Sequence, residues 1–230
     1  NENNGVQSVT GKQPIVSTTL LNNQSLIEFD GVDDYFNSLT LTPRTIVFVS
    51  KVRTNSLYQN IIDNQSGNPM IWVRNNNVWE INTSVGIVGG ITLGEWQIVA
   101  VQYDSNEHRL MVNGGSDGTD TTSLTTVPES ATYTLFNRNG GQTFDGFMAE
   151  MMIFNTVIGT NELTEITAYL SRKWGLSSSV DSDGDGTVDA SDSDANGNGV
   201  LDSIESVTND IDQTLLDGTA DSDGDGLTNA

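Results

Sequence analysis

The C-terminal region of the chain carries oxygen-bearing residues at the spacing of a calcium-binding loop. A hard divalent cation takes about six to eight oxygen ligands from carboxylates, amides and backbone carbonyls. Loop positions 1, 3, 5, 9 and 12 have such side chains, position 6 is a glycine and position 7 offers a carbonyl. The ligands of this first loop are Asp181, Asp183, Asp185, the carbonyl of Thr187, Asp189 and Asp192. Because Asp192 is shorter than the usual bidentate Glu at position 12, we expect weaker binding or a shared ligand.

The same pattern recurs twice further along the chain. The second loop fills every ligand position, with Asp194, Asn196, Asn198, the carbonyl of Val200, Asp202 and Glu205. The third loop has Asp221, Asp223, Asp225 and the carbonyl of Leu227, and the sequence ends at Ala230, before position 12. We therefore expect two or more Ca²⁺ ions to bind in this region. A sequence that ends within a ligand set is also expected to be part of a longer protein.

The acidic charge of the chain is concentrated in these loops. The formal net charge is -22, and 14 of the 31 acidic residues follow Leu176, where Lys and Arg are absent. A disordered acidic linker is the alternative interpretation, and the phased Asp, Asn and Gly positions favour calcium binding. Without Ca²⁺ the carboxylates should repel one another, so we predict a calcium-rigidified stalk in an extracellular setting. A chain this acidic is not expected to bind nucleic acid, whose phosphates require a basic surface.

Residues suited to catalysis are sparse. The chain has no cysteine, which excludes thiol catalysis, disulfides and cysteine-bound metals. Glycoside hydrolysis needs two carboxylates about 5–9 Å apart, and no Glu-x-Asp-x-Glu motif is present; Glu150 has no acidic residue two positions away. His108 is the only histidine and lies in a predicted turn. We therefore predict that the chain is not an enzyme.

Two further groups of residues could bind a ligand. Trp72, Arg74, Asn76 and Trp79 lie on two predicted strands and the Asn-rich turn between them, where indole rings could stack on a sugar. The alternative is that both tryptophans belong to the core and the asparagines form only a turn. Three acidic residues could hold an ion or accept backbone N–H groups, and we favour the structural turn. They are Asp30, Asp33 and Asp34.

Short runs rich in β-branched and aromatic residues, separated by Asn, Gly, Asp and Ser clusters, predict β-strands in the long first part of the chain. Trp96–Tyr103 is apolar on both faces, which is typical of a strand inside a layered sandwich. The other predicted strands are Leu26–Phe29, Thr45–Val52, Met70–Val73, Val78–Ile81, Arg109–Val112, Thr132–Phe136 and Gly146–Phe154. We predict an all-β fold, an antiparallel β-sandwich or jelly roll.

One amphipathic helix is predicted at the end of this part. Leu163, Ile166, Leu170 and Trp174 form an apolar stripe at helical spacing, and Gly175 suits the position after the last turn. We expect the stripe to pack against the sandwich. The predicted organisation is a sandwich with this helix at 1–176, a linker at 177–180, and an irregular calcium-loop tail at 181–230. No apolar run approaches the roughly 18 residues of a membrane span, so membrane insertion is not expected.

Five segments in sequence resemble bacterial laminin-G-like, concanavalin A-like lectin/glucanase domains over residues 14–175. They are Ile27–Phe36, Gly94–Asp104, Leu110–Gly114, Phe144–Phe154 and Glu165–Leu176. The tail is similar to thrombospondin type 3 calcium repeats and departs from them in lacking cysteines. The first resemblance implies a concanavalin A-like sandwich, a fold that hosts lectins, enzymes and structural modules.

Two functions remain open at this point. The first is an extracellular carbohydrate-binding or adhesion module, secreted or on a bacterial cell surface, carried on a calcium-rigidified stalk. The alternative is a structural or protein–protein module of a surface filament or matrix, without a sugar site. The expected partners are accordingly a glycan or a surface protein, with self-assembly through a longer parent chain as a further expectation. A groove lined by Trp72 and Trp79 would favour the first function, and two buried rings would favour the second.

Overall fold

The structure is a computed structural model that describes residues 7–54, 58–64, 71–81, 87–120, 130–138 and 141–208, without the side chains of 38, 39, 116–120 and 206–208. These residues form a β-sandwich followed by helices and loops. The strands are β1 (Ile15–Leu21), β2 (Gln24–Asp30), β3 (Phe36–Leu41), β4 (Thr45–Val52), β5 (Gln59–Asp63), β6 (Ile71–Arg74), β7 (Val78–Ile81), β8 (Ile87–Gly90), β9 (Trp96–Tyr103), β10 (His108–Val112), β11 (Gly115–Asp120), β12 (Ala131–Leu135) and β13 (Asp145–Phe154). The helices are α1 (Thr160–Trp174) and α2 (Asp202–Thr208).

The strands pair into two antiparallel sheets. One has seven strands in the order β1-β2-β13-β4-β9-β10-β11, and the other has six in the order β3-β12-β5-β6-β7-β8. The chain crosses repeatedly from one sheet to the other, as in a sandwich whose sheets each need the other to cover an apolar face. The predicted fold class, an antiparallel sandwich with a packing helix, is confirmed.

The main core lies between the sheets. Strand β4 shows why a sandwich forms, because seven of its eight residues are buried and its two faces serve different cores. Ile46 and Phe48 face the other sheet, whereas Val47 and Val49 face away from it. Side chains alternate across a strand, so an apolar run on both faces requires cover on both sides of the sheet.

The second core lies between the seven-stranded sheet and helix α1. Leu163, Ile166, Leu170 and Trp174 are buried there against Val47, Val49, Ile98 and Ala100. The predicted apolar stripe is therefore the contact face of the helix. The helix begins at Thr160, after Gly159, and Glu162 accepts a hydrogen bond from the Gly159 N–H (2.6 Å). Gly175 ends it with φ +69, the left-handed geometry expected after a last turn.

Several strands lie outside the predicted set. They are β1, β3, β5, β8 and β11. Strand β5 has no clear sequence signal because it begins and ends in polar residues, Gln59 and Asp63, that are nevertheless buried. The prediction of a turn at His108 is wrong, since this residue begins β10 and is buried with its ring 5.5 Å from that of Tyr103. No helix in the described part of the chain combines the length and the apolar character that a membrane span needs.

Candidate ligand-binding face and acidic loops

A row of side chains crosses the outer face of the six-stranded sheet. Register pairs Asn60 with Trp72, Trp72 with Glu80, and Glu80 with Val88. Directly opposed residues in antiparallel strands project from the same face. The neighbouring row holds Val73 and Trp79, which face the other sheet, so the row that contains Trp72 is the outer one.

Aromatic and cationic groups gather around Trp72. The ring of Tyr58 lies 6.0 Å from that of Trp72, with 50° between the ring planes. The guanidinium carbon of Arg138 lies 5.5 Å from the Trp72 ring centroid, and that of Arg74 lies 5.7 Å from the Tyr58 ring. Trp72 is half-buried and Tyr58 is exposed, so part of this aromatic surface faces solvent. We call these residues, with Asn60, Asp63 and Glu80, the outer-face site.

Both arginines of the outer-face site are held by buried carboxylates. Arg74 Nε lies 2.9 Å from Glu80 Oε2, and Arg138 Nε lies 2.9 Å from Asp63 Oδ2. Asp63 is fully buried. Burial raises the pKa of the Glu80 carboxyl, and the nearby Arg74 guanidinium offsets this in part. The two ion pairs fix the positions of the guanidinium groups beside the aromatic rings.

Asn60 and Trp72 contribute polar atoms that have no partner among the described residues. Neither Nδ2 nor Oδ1 of Asn60 forms a hydrogen bond there, although the side chain is fully buried. The indole Nε1 of Trp72, directly across the register, also lacks a partner in the described part of the chain. Leaving a buried polar group unpaired costs about 1–3 kcal/mol, so a water bound at these atoms would stabilise the fold.

The four residues proposed from sequence as ligand contacts separate into three locations. Trp72 and Arg74 lie in the outer-face site, and Asn76 is exposed in the turn between β6 and β7. The prediction that Trp79 contacts a ligand is wrong, because this residue is fully buried between the sheets. Its Nε1 donates to Gln97 (3.2 Å), and its ring packs edge-on against Phe48. Successive side chains of a strand point to opposite faces of the sheet, and Trp79 pairs with Val73, the residue next to Trp72. Trp72 and Trp79 therefore lie on opposite faces of the sheet.

Sequence reasoning missed Tyr58, Asn60 and Arg138. They come from β5, the segment before it and the segment after β12, far apart in the chain. Their neighbourhood depends on the order β12-β5-β6 in the sheet, which no local pattern specifies.

The acidic turn after β2 is held by its own backbone. Asp30 Oδ1 accepts hydrogen bonds from the N–H groups of Val32 (2.8 Å) and Asp33 (3.3 Å). Asp34 Oδ2 accepts from the Asp30 N–H (3.0 Å). Carboxylate oxygens of the three aspartates lie within 4.8 Å of one another, and their hydrogen bonds are those of the favoured structural turn.

The first two acidic loops share two internal hydrogen bonds, at residues 13 positions apart. In each loop the carboxylate at position 1 accepts the N–H of the position-6 glycine, and the position-9 carboxylate accepts the N–H of position 2. The pairs are Gly186 to Asp181 (3.0 Å), Gly199 to Asp194 (2.9 Å), Ser182 to Asp189 (2.8 Å) and Ala195 to Asp202 (3.2 Å). The sequence repeat is therefore also a repeat of backbone conformation.

The side chains of both loops converge. Carboxylate oxygens of Asp181, Asp183 and Asp185 lie within 4.8 Å of one another. Burial, and after it the neighbouring carboxylates, raise the pKa of Asp183. In the second loop, Glu205 at position 12 is buried and accepts a hydrogen bond from Asn196 (3.2 Å) at position 3. This all-oxygen donor set suits Ca²⁺.

The first loop contacts the sandwich, and the second contacts helix α1. The Asp181 N–H donates to the Asn113 carbonyl in the β10–β11 turn (3.1 Å). Thr164 of α1 donates to the Asn196 carbonyl (3.1 Å). Within the segment predicted as a linker, Val180 is fully buried in the second core. Residues 177–180 are thus a packed connection. The third loop, with Asp221, Asp223, Asp225 and Leu227, lies outside the described residues.

The fold matches a known family. The model of the Concanavalin A-like lectin/glucanases superfamily matches residues 31–164. No curated protein sequence matches the chain.

Three solved structures illustrate the similarity in fold. A candidate carbohydrate binding protein from Bacteroides ovatus ATCC 8483 is 14% identical, with a TM-score of 0.49 over 56% of this chain and 43% of that one. A Ruminococcus gnavus IT-sialidase CBM40, bound to α2,3-sialyllactose, is 17% identical, with a TM-score of 0.45 over 62% and 95%. A Trypanosoma rangeli sialidase in complex with sialic acid is 14% identical, with a TM-score of 0.49 over 64% and 28%. The chain thus spans less than half of the first and third proteins, and likenesses of this size concern the fold alone.

Proposed function

Because the chain belongs to the concanavalin A-like lectin/glucanases superfamily, we propose that it is a carbohydrate-binding module whose glycan lies on the outer-face site. The observation that carries the proposal is the solvent-facing surface of Trp72, which is flanked by the exposed ring of Tyr58 and by the guanidinium of Arg138. The superfamily includes both lectins and enzymes, so the proposal rests on this site more than on the fold. That the chain is not an enzyme stays a prediction.

The chemistry of the outer-face site suits a sugar ring. Pyranose rings carry an apolar C–H face that can lie on an indole, while their edges present hydroxyls that both donate and accept hydrogen bonds. The part-exposed guanidinium groups of Arg138 and Arg74 lie beside the Trp72 and Tyr58 rings and offer N–H donors to such hydroxyls.

The test is a glycan array on the intact chain, followed by calorimetry with the best ligand. Trp72→Ala is expected to weaken binding by about 30-fold or more, the effect of losing about 2 kcal/mol. Trp96→Ala is the matched control, because Trp96 is also half-buried but packs against Phe147 on the other sheet (ring centroids 6.2 Å apart). Binding that survives Trp72→Ala would contradict the site. A chain that binds no glycan would contradict the function and favour the structural module.

We also propose that the first two loops bind Ca²⁺. The support is the oxygen donor set, the repeated loop conformation and the clustering of the carboxylates of Asp181, Asp183 and Asp185. Bound Ca²⁺ would supply the positive charge that offsets their mutual repulsion. We include three further points in this proposal: the loops are similar to thrombospondin type 3 repeats, the chain has an adhesive role, and its location is extracellular. Since the first loop contacts the sandwich and the second contacts helix α1, any stalk would extend from beyond the second loop.

Calcium binding is tested by thermal melting of the chain in Ca²⁺, Mg²⁺ and EDTA. A ligand present at 100 times its Kd stabilises a protein by about 2.7 kcal/mol, so saturating Ca²⁺ should raise the melting temperature measurably. Mg²⁺ is expected to do less, because it demands a smaller octahedral site. Identical melting curves in Ca²⁺ and EDTA would contradict the proposal.

A further inference from the structure

We infer that the outer-face site selects glycans bearing a carboxylate, and that Arg138 is the residue that recognises the acidic group. The inference rests on the proposed carbohydrate site and adds its ligand class. It is carried by three observations: how Arg138 is anchored, which of its donors are occupied, and how the backbone before it is bent.

Arg138 is held at one edge of its guanidinium only. Its Nε forms the ion pair with Asp63, which is fully buried, while its side chain keeps 21% exposure. The guanidinium carbon lies 5.5 Å from the Trp72 ring centroid. Within the described part of the chain, the structure gives Nη1 and Nη2 no acceptor. A positioned pair of N–H donors is the geometry that matches a carboxylate.

The other arginine of the site is more fully engaged. Arg74 is held by Glu80 at 2.9 Å and lies beside the ring of Tyr58, and a hydrogen bond with Tyr58, followed by the charge of Glu80, raises the pKa of Arg74. The positive charge of Arg74 lies beside Glu80. Glu80 therefore repels an acidic ligand less than an unpaired carboxylate would. In the outer-face site, Arg74 is therefore occupied by its neighbours. The Nη donors of Arg138 have no acceptor among the described residues and lie next to the aromatic rings.

The backbone that presents Arg138 is in an unusual conformation. Phe136, two residues earlier, has φ +67, which is rare for an aromatic residue. Its ring is buried against Phe29 (centroids 4.1 Å apart) and Phe144 (5.7 Å), so the core holds the bend in place. Strained conformations that packing enforces are frequent at binding sites, and this one lies between β12 and Arg138.

Ligand pairs that differ only in the carboxylate test the inference. Trigalacturonate is compared with its methyl ester, and sialyllactose with lactose, by calorimetry on the intact chain. The acid is expected to bind about ten-fold more tightly than its neutral partner, the effect of one charge-assisted contact. Arg138→Met should abolish this preference, and Arg138→Lys should restore only part of it, because an ammonium lacks the planar fork.

Controls separate the possible failures. Arg109→Met removes an arginine on the other sheet, where Arg109 pairs with Glu107, and should leave both affinities unchanged. The double variant Arg138→Met/Asp63→Asn removes both partners of the ion pair, so that a buried charge is not left alone. It should bind neutral and acidic ligands equally.

The outcomes are distinct. Equal binding of acid and neutral ligand by the wild-type chain would overturn the inference and leave the proposed function standing. A preference that persists in Arg138→Met would overturn the role of Arg138. Binding of none of these ligands and no hit on the array would contradict the proposed function itself.

Discussion

A Cβ atom at Gly114 would lie 1.7 Å from the carbonyl oxygen of Asp181. Gly114 has φ +86 in the β10–β11 turn of the sandwich, and Asp181 is position 1 of the first acidic loop. The two backbones therefore touch where no side chain could fit. The same turn accepts the Asp181 N–H through Asn113. The acidic loops and the sandwich are joined at the level of the main chain.

Gly114→Ala is expected to destabilise the chain in two ways. The left-handed backbone costs about 1–2 kcal/mol for a residue with a Cβ, and the clash with Asp181 adds about 1–3 kcal/mol. Gly94→Ala is the control and incurs only the first cost, because Gly94 has φ +79 and a Cβ there would meet no atom of the described residues within 4 Å. Urea unfolding in Ca²⁺ measures the difference, and equal losses in the two variants would contradict tight docking.

Trp79→Ala should destabilise the fold without removing a ligand contact. Trp79 is fully buried and loses its packing against Phe48 and its bond to Gln97, so we expect a loss of about 3–5 kcal/mol. Compared with Trp79→Ala, Trp72→Ala should destabilise the fold less and weaken glycan binding more, because the Trp72 ring is half-exposed. Chemical denaturation and calorimetry on both variants check the contrast. A reversed pattern would mean that the faces of this hairpin are assigned wrongly.

Glu205→Gln should weaken Ca²⁺ binding at the second loop. Glu205 is the position-12 carboxylate of that loop and is buried against Asn196. Replacing a charged ligand with a neutral one lowers calcium affinity, and we expect about ten-fold or more. Calorimetric titration with Ca²⁺ measures it, with Glu107→Gln on the sandwich as the control. An unchanged affinity in Glu205→Gln would place the ion elsewhere.

The pH dependence of stability should report on Glu80. Burial raises the pKa of this carboxyl in the folded state above its ordinary value of 4.5, with Arg74 opposing the shift. Between these two pKa values the folded chain holds a proton that the unfolded chain has released, so stability falls as the pH rises through that window. Glu80→Gln removes this contribution. Urea unfolding between about pH 4 and 7 should show a flatter profile in the variant than in the wild type.

Glu95→Gln provides the comparison for that experiment. Glu95 is exposed and lies outside the outer-face site. Other carboxyls, including those of Asp34 and Glu165, also have pKa values raised by burial and persist in both variants, so only the difference between profiles identifies Glu80. If Glu80→Gln and Glu95→Gln change the profile alike, the effect does not come from burial of Glu80.

The sequence alone was sufficient for the strands and helix with strong local signals. Trp96–Tyr103 and Thr45–Val52 are strands with the predicted bounds, because a two-sided apolar run has no other stable place than between two covering layers. The stripe of Leu163, Ile166 and Leu170 likewise specified which face of α1 is buried. The acidic loops could be identified by spacing, since their ligand positions are local to about a dozen residues.

The tertiary structure alone decided what these elements face. Trp72 and Trp79 have the same side-chain type and lie on paired strands, and only the packing of the second sheet sends one inward and leaves the other at the surface. The neighbours of Trp72 arrive through the strand order β12-β5-β6, which brings Asn60 and Arg138 together from distant parts of the chain. Local propensity acts over a few residues, whereas such contacts are selected by burial of the whole core, and that is why a site built across strands cannot be read from spacing.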